Sequence, residues 1–313
     1  MSKVMVLTSL NVDYTIKTTK IPEIGETVVA SDLIENFGGK GANQLLGIHR
    51  LGVDTIAFGK VGKDALGEKY LHHLQGQGIN TTYISQGPEK TGLAFIVVDE
   101  AGQNNICILP GANGSIDQTD LDNIRDKIAD VDIIVSQLEV PIAITNTIFS
   151  IAKKLNKITV LNPAPFKASY KMLLKNTDIL VPNESEFISM TNLPNKQLSQ
   201  EDILQLSPQI LNEGPSYLIV TMGGAGVLVT SPEDQRFISA KKVAAIDTTA
   251  AGDSFIGGLV SQLVTTKEAM PTFEQVVHAA EFGNKVAALT VQKNGAQDSL
   301  PTLKEVTNYW LDK

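Results

Sequence analysis

Four short, almost wholly apolar runs in the middle of the chain constrain its fold more than any other feature: Val131-Asp-Ile-Ile-Val135, Ile158-Thr-Val-Leu161, Asp178-Ile-Leu-Val181 and Tyr217-Leu-Ile-Val220. Each has the length of a strand and no regular polar alternation, so each belongs in a sheet buried on both faces. Helical stretches around 141–155, 168–176 and 201–213 separate them. That alternation predicts an α/β fold with a mostly parallel central sheet flanked by crossover helices. Ligands of such sheets bind beyond the carboxyl ends of the strands. The residues found there are Gln137 and Glu139, then Asn162, then Asn183 with Glu186, then Thr221 ahead of Gly223-Gly-Ala-Gly226. One rim thus collects carboxylates, amides and a glycine turn.

The flanking sequence fits the same plan. Val4-Met-Val-Leu7 reads as a buried strand that ends in the polar Thr8 to Asp13. Thr27-Val-Val-Ala30 and Leu33-Ile34 read as extended pieces, Leu45 to Leu51 and Ala65 to Leu74 as helices, and Asp54 to Phe58 as a strand. Leu93 to Val98 and Asn105 to Leu109 predict a hairpin about Glu100-Ala-Gly-Gln103. Phe273 to Thr290, carrying Asn284, and Thr302 to Leu311 close the chain as helices. No repeat or low-complexity linker divides it, so one domain over 1–313 is the expectation.

With 42% hydrophobic residues the chain can build a sizeable core, and its net charge of −8, with both signs interspersed, argues against nucleic acid or an anionic membrane as the main partner. The single cysteine, Cys107, lies in an apolar run and reads as a buried small hydrophobe. The amino terminus lacks the long apolar segment of a signal peptide, and nowhere do eighteen apolar residues run together, so a soluble cytoplasmic protein is expected.

Two glycine-bearing segments open helices. In the first, Asp247-Thr-Thr-Ala-Ala-Gly-Asp-Ser254, the apolar run Val243 to Ile246 reads as a strand or extended segment turning into a buried helix whose first turn holds Gly252 and Asp253. Free N–H groups there, beside the small residues Ala250, Ala251 and Gly252, suit an anion. Asp253 is either a helix-dipole carboxylate or a general base beside an anion hole. Gly257 and Gly258 further along point to close packing. In the second segment, Phe37-Gly-Gly-Lys-Gly-Ala-Asn-Gln44, the glycines form either a flexible turn or a close backbone approach to a polyhydroxylated ligand, with Lys40 and Asn43 as donors. Asn183 and Glu186 have the spacing of a capping box and, alternatively, of a Mg²⁺ or phosphate site. Glu139 is either a solvated loop carboxylate or an acceptor for sugar hydroxyls. The phosphate-binding G-x-x-x-x-G-K-[ST] loop, the G-x-G-x-x-G dinucleotide fingerprint and the G-x-S-x-G elbow are all absent, and the four histidines have no metal-ligand spacing.

The two glycine-bearing segments together resemble the paired signatures of the ribokinase family of carbohydrate kinases, the PfkB group, and Asn183-Glu-Ser-Glu186 resembles its N-x-x-E motif. The resemblance covers nearly the whole chain. Within the family, Gly38-Gly-Lys-Gly-Ala-Asn-Gln44 is closer to the ribose-phosphorylating branch than to fructokinases, adenosine kinases or phosphofructokinases, and the stretches Ser9 to Asp13, Gln137 to Glu139 and Asn162 to Pro165 agree. It implies ATP-dependent phosphorylation of ribose at its 5-hydroxyl, with Asp253 as base and the amides of Ala250, Ala251 and Gly252 as anion hole. Asn11, Asp13, Gly39, Lys40, Gly41, Asn43, Glu139 and Asp253 would bind the sugar. Asn183, Glu186, Thr221, Gly223, Gly224, Gly226, Gly252 and Asn284 would line the ATP site, with Glu186 organising Mg²⁺ through water. Asp247, Thr249, Thr290, Lys293, Gly295 and Ser299 would surround K⁺, several through backbone carbonyls. Segments 14–36 and 92–110 would form a small β-sheet lid through which the chain forms a homodimer. A kinase of deoxyribose, fructose or a ribonucleoside, and a non-catalytic sugar sensor, are the alternative functions.

Overall fold

Apolar strands need cover on both sides, and the computed structural model, which describes residues 3–193, 198–266 and 269–311, provides it. Alternate residues of β1 (Lys3–Thr8) enter two separate cores, Val4 and Val6 on one side and Met5 and Leu7 on the other. The second sheet begins two residues later with β2 (Asn11–Lys17) and β3 (Asp32–Gly38). The remaining strands are β4 (Asp54–Gly62), β5 (Ile84–Gly87), β6 (Gly92–Val98), β7 (Asn104–Leu109), β8 (Ile133–Ser136), β9 (Ile158–Leu161), β10 (Ile179–Leu180), β11 (Tyr217–Thr221), β12 (Gly226–Thr230) and β13 (Gln235–Ser239). Among the described residues the large sheet runs β13-β12-β11-β10-β9-β8-β1-β4-β5 and the small one β3-β2-β6-β7. The large sheet is parallel from β5 to β11 and turns antiparallel at β12 and β13.

Helices α1 (Lys40–Arg50) and α2 (Ala65–Gly76) cover the Val4 side. The opposite side is covered by α3 (Gln118–Ile124), α4 (Ile142–Lys154), α5 (Lys171–Leu174), α6 (Glu184–Thr191) and α7 (Gln200–Leu211). Helices α8 (Ala251–Leu263) and α9 (Phe273–Thr290) complete the first side, and α10 (Leu303–Leu311) packs on α9 through Val306 and Leu289. No helix among the described residues is long and apolar enough to cross a membrane.

Of the segments read as extended, residues 27–30 lie outside any strand, since β3 begins at Asp32. Val243 to Ile246 likewise joins no ladder among the described residues; Ile246 is 64% exposed, and Ile246 N and Asp247 N are held by the Val291 carbonyl. One expectation needs correction. Cys107 is exposed, because β7 is an edge strand of a sheet too thin to bury it. The apolar pattern marked a strand correctly there, but not a core.

Candidate active site

The carboxyl ends of β1, β8, β9, β10 and β11 meet the amino-terminal ends of α1, α6 and α8, and the small sheet rises from the same rim. Its register sets Asn11 opposite both Gly38 and Gly92, and Asp13 opposite Asn36 and Ala94. Glycine is required where β3 turns into α1. Gly39 has φ 96°, and a Cβ on it would lie 2.5 Å from the Ser9 carbonyl oxygen. A Cβ on Gly41 would lie 2.4 Å from Ser9 N. With the backbone so close, Ser9 Oγ accepts from Gly41 N at 2.8 Å and donates to Glu139 Oε2 at 2.7 Å, which also accepts from Lys40 N at 2.9 Å. Glu139 is therefore fastened to the glycine turn, not loose in a solvated loop. Asn113 holds the other flank, pairing with Leu10 through both backbone groups and donating to Asn11 Oδ1 at 2.8 Å.

Two charged groups in this bay make no direct hydrogen bond or ion pair among the described residues: the Asp13 carboxylate and the Lys40 ammonium. Burial, reinforced by the charge of Glu139 and opposed by Lys40, pushes Asp13 up to about 7. Burial alone would depress Lys40, but Asp253, Glu139, Glu186 and Asp13 outweigh it and raise its affinity for the proton. Unpaired charged groups converging on a bay are suited to a ligand rich in hydroxyls.

Asp253 sits in the first turn of α8 and is 7% exposed. It does not cap its own helix, whose N-cap is Ala250 in the left-handed conformation at φ 60°. Instead Oδ2 accepts from Asn43 Nδ2 and Oδ1 from Gln44 Nε2, each at 3.0 Å. The reading of this residue as a mere dipole carboxylate loses force, because its oxygens serve another helix. The two helices can approach because Gly47 meets Gly257, one turn beyond Asn43 and Asp253 respectively. Nothing crowds Gly252 within 4 Å of where a Cβ would be. A cleft of about 180 Å³ opens there, bounded by Lys40, Asn162, Asn183, Glu186, Thr221, Thr248 and the Ala250 to Asp253 turn. That volume accommodates a phosphoryl group rather than a whole nucleotide.

Asn183 and Glu186 form a complete capping box, Asn183 Oδ1 accepting from Glu186 N and Glu186 Oε2 from Asn183 N, both at 2.9 Å. The box and the cleft coexist, and burial raises the Glu186 pKa. Thr221 bridges to Asn183 at the end of β11. Gly223 and Gly224 are open to solvent, whereas Gly226 starts β12, where a Cβ would lie 2.1 Å from the Ile238 carbonyl oxygen. Asn284 is buried on α9 with Nδ2 unpartnered. No group of three or more His, Cys, Asp or Glu gathers among the described residues to cage a metal, and Mg²⁺ bound mainly by phosphate and water needs no such cage. One buried carboxylate at the cleft suits that role.

The loop after α9 comes back to the start of α8. Asp247 Oδ2 accepts from Gly295 N at 2.9 Å, while Oδ1 accepts from Thr249 N and Oγ1. Burial would raise the Asp247 pKa, but these hydrogen bonds together lower it. Thr290 and Ser299 are buried with their hydroxyls on nearby carbonyls, and Lys293 turns away to Glu305 at 2.8 Å. Asp247, Thr249 and Gly295 are therefore brought together. The sequence reading assigned nothing to Gln44, Asn113, Tyr70 or Gln297. Gln297 Nε2 donates to Tyr70 OH at 2.9 Å, and Tyr70 OH donates to the Gly38 carbonyl, tying this loop to the glycine turn.

The family model described as pfkB family carbohydrate kinase matches residues 1–303. A ribokinase of Staphylococcus aureus (strain COL) is 39% identical over 307 residues, covering 97% of this chain and 98% of that protein. The structure of a ribokinase from Giardia lamblia superposes with TM-score 0.92 at 26% identity, covering 99% of each chain. The Arabidopsis thaliana ribokinase complexed with ribose and ATP superposes with TM-score 0.86 at 28% identity over 98% of this chain and 97% of that one. An enzyme that phosphorylates an alcohol group on a sugar accounts for both the likeness and the rim, and the chain belongs to the pfkB family of carbohydrate kinases.

Proposed function

We propose that this kinase transfers the γ-phosphoryl group of ATP to the 5-hydroxyl of D-ribose, giving D-ribose 5-phosphate and ADP. The observation that carries this reading is the position of Asp253, held by Asn43 and Gln44 between the hydroxyl-binding bay and the phosphoryl-sized cleft. In the reaction the sugar oxygen bonds to the γ-phosphorus, the bond from that phosphorus to the β,γ-bridging oxygen breaks, and Asp253 accepts the hydroxyl proton. Asn11, Asp13, Gly39, Lys40, Gly41, Asn43 and Glu139 hold the sugar. The amides of the Ala250 to Gly252 turn receive the charge that develops on the transferring group. Asn183, Thr221, Gly223, Gly224, Gly226 and Asn284 line the nucleotide side, an assignment that the unpartnered Nδ2 of Asn284 supports.

Bound Mg²⁺ would neutralise phosphate charge, and Glu186 is the residue that would organise it through water. Asp247, Thr249, Thr290, Lys293, Gly295 and Ser299 would surround K⁺, with Asp247 and the loop carbonyls as donors. Activity that rises across a K⁺ titration is the expected outcome, and a flat response would remove that part of the reading. Ribose is the acceptor expected to give the highest kcat/KM in a panel with deoxyribose, fructose and adenosine. Ribose at background rate would overturn the substrate assignment while leaving the kinase fold untouched.

A further inference from the structure

Asp253 is held at both oxygens by residues adjacent on α1, and only one of these, Asn43, has a proposed contact with the sugar. Gln44 is fully buried. Its Nε2 gives one N–H to Asp253 Oδ1 at 3.0 Å and the other to Asn162 Oδ1 at 3.2 Å. Asn162 Nδ2 in turn donates to the Val181 carbonyl at 2.9 Å, at the end of β10 and two residues before Asn183. The orientation of the Gln44 amide follows from these partners, since the reversed amide would aim its oxygen at two other oxygens. Its Oε1 is buried and finds no partner among the described residues. The two N–H groups make contacts, to Asp253 and to Asn162, that an apolar side chain of similar volume could not make.

We propose that Gln44 is a positioning residue for phosphoryl transfer, fixing the rotation of the Asp253 carboxylate and tying it through Asn162 to the nucleotide side of the cleft. The terminal torsion of an aspartate is broad and two-fold, so a carboxylate held at one oxygen still rocks about that contact. A second donor on the other oxygen removes the motion and leaves a fixed lone pair for the incoming hydroxyl. Asn43 and Gln44 thus have separate tasks: Asn43 joins the base to the sugar bay, and Gln44 joins it to the strand ends. The inference rests on Asp253 acting as the base.

The test is steady-state kinetics with ribose and Mg·ATP on Gln44→Leu and Gln44→Glu, with Asp253→Asn measured alongside. Gln44→Leu is expected to lower kcat by about tenfold or more while the KM for ribose stays within about twofold, because a misplaced base slows chemistry while the other proposed sugar contacts, from Asn11, Asp13, Lys40, Asn43 and Glu139, remain. Gln44→Glu puts a like charge against Asp253 and is expected to move the acid limb of the kcat–pH profile up by about one unit. Wild-type kcat and pH profile in both variants, with only the melting temperature altered, would overturn the inference. If Gln44→Leu does not fold, Asn162→Ala cuts the same tether from outside the helix and should lower kcat in the same direction; unchanged kcat there also counts against it. Wild-type turnover by Asp253→Asn would sink the base reading itself. An inactive Asp253→Asn together with unaffected Gln44 variants would sink only the positioning role.

Discussion

At Asp13 the proposed sugar contact and the stability of the fold pull in opposite directions. Its folded pKa, about 7, lies above the usual 3.8 because burial and the Glu139 charge disfavour the carboxylate. The empty folded protein therefore binds more protons here than the unfolded chain does. The contribution to stability is complete below the unfolded pKa and is lost as pH rises through about 7. Asp13→Asn should accordingly raise the melting temperature of the ligand-free protein near about pH 8 and have little effect near about pH 4, while weakening ribose binding by about tenfold or more. Equal melting shifts at both pH values, or unchanged ribose affinity by calorimetry, would contradict this. At this scale the sequence was partly legible. Asp13, Lys40, Asn43 and Asp253 stand out because they interrupt or follow apolar runs at strand ends and helix starts. Gln44 and Gln297 do not, because their partners lie 209 and 227 residues away and only the folded chain joins them.

Packing between α1 and α8 sets the distance across which Asp253 is held. A Cβ on Gly257 would fall 3.0 Å from the Gly47 carbonyl carbon, whereas one on Gly47 would sit at an ordinary 3.7 Å from Gly257 Cα. The two glycines are thus not equivalent. Gly47→Ala should fold and turn over like the wild type, with a gain of up to about 1 kcal/mol from helix propensity. Gly257→Ala should push the helices apart by a few tenths of an ångström and lower kcat by about tenfold. Equal effects of the two substitutions on kcat would mean that this contact does not position the base. Glycines in the α8 sequence signal close packing, but not which helix they pack against. The same limit applies to strands. Continuous apolar runs located β1, β8, β9 and β11 to within two residues, while the short β5 and the β12–β13 pair escaped notice. Val243 to Ile246 and Thr27 to Ala30 read as extended but join no ladder among the described residues, because an apolar run needs a neighbouring strand to complete its hydrogen bonds.

The small sheet leaves apolar side chains open to solvent. Leu33 is 61% and Ile106 56% exposed, and Phe95 and Leu109 are also open to solvent. Apolar area of this kind on a thin sheet supports pairing with a second copy, proposed here as a lid-to-lid homodimer. Light scattering at working concentration should give about twice the chain mass of 33.6 kDa, and a monomeric mass would contradict the pairing. The hairpin of this sheet was legible from its turn, but its exposure was not, since apolar alternation does not reveal whether another layer lies over it. At the scale of the whole molecule, the proposed function needs a sugar site and a phosphoryl site on either side of one carboxylate, Asp253. The most direct test of that account is ribose-dependent ADP release from Mg·ATP by the wild type and by Asp253→Asn. A fall of about 10²-fold or more in kcat with the protein still folded is the predicted result, in the range for loss of a general base. Turnover by the Asn variant at the wild-type rate would reduce Asp253 to a helix-start residue and contradict the account.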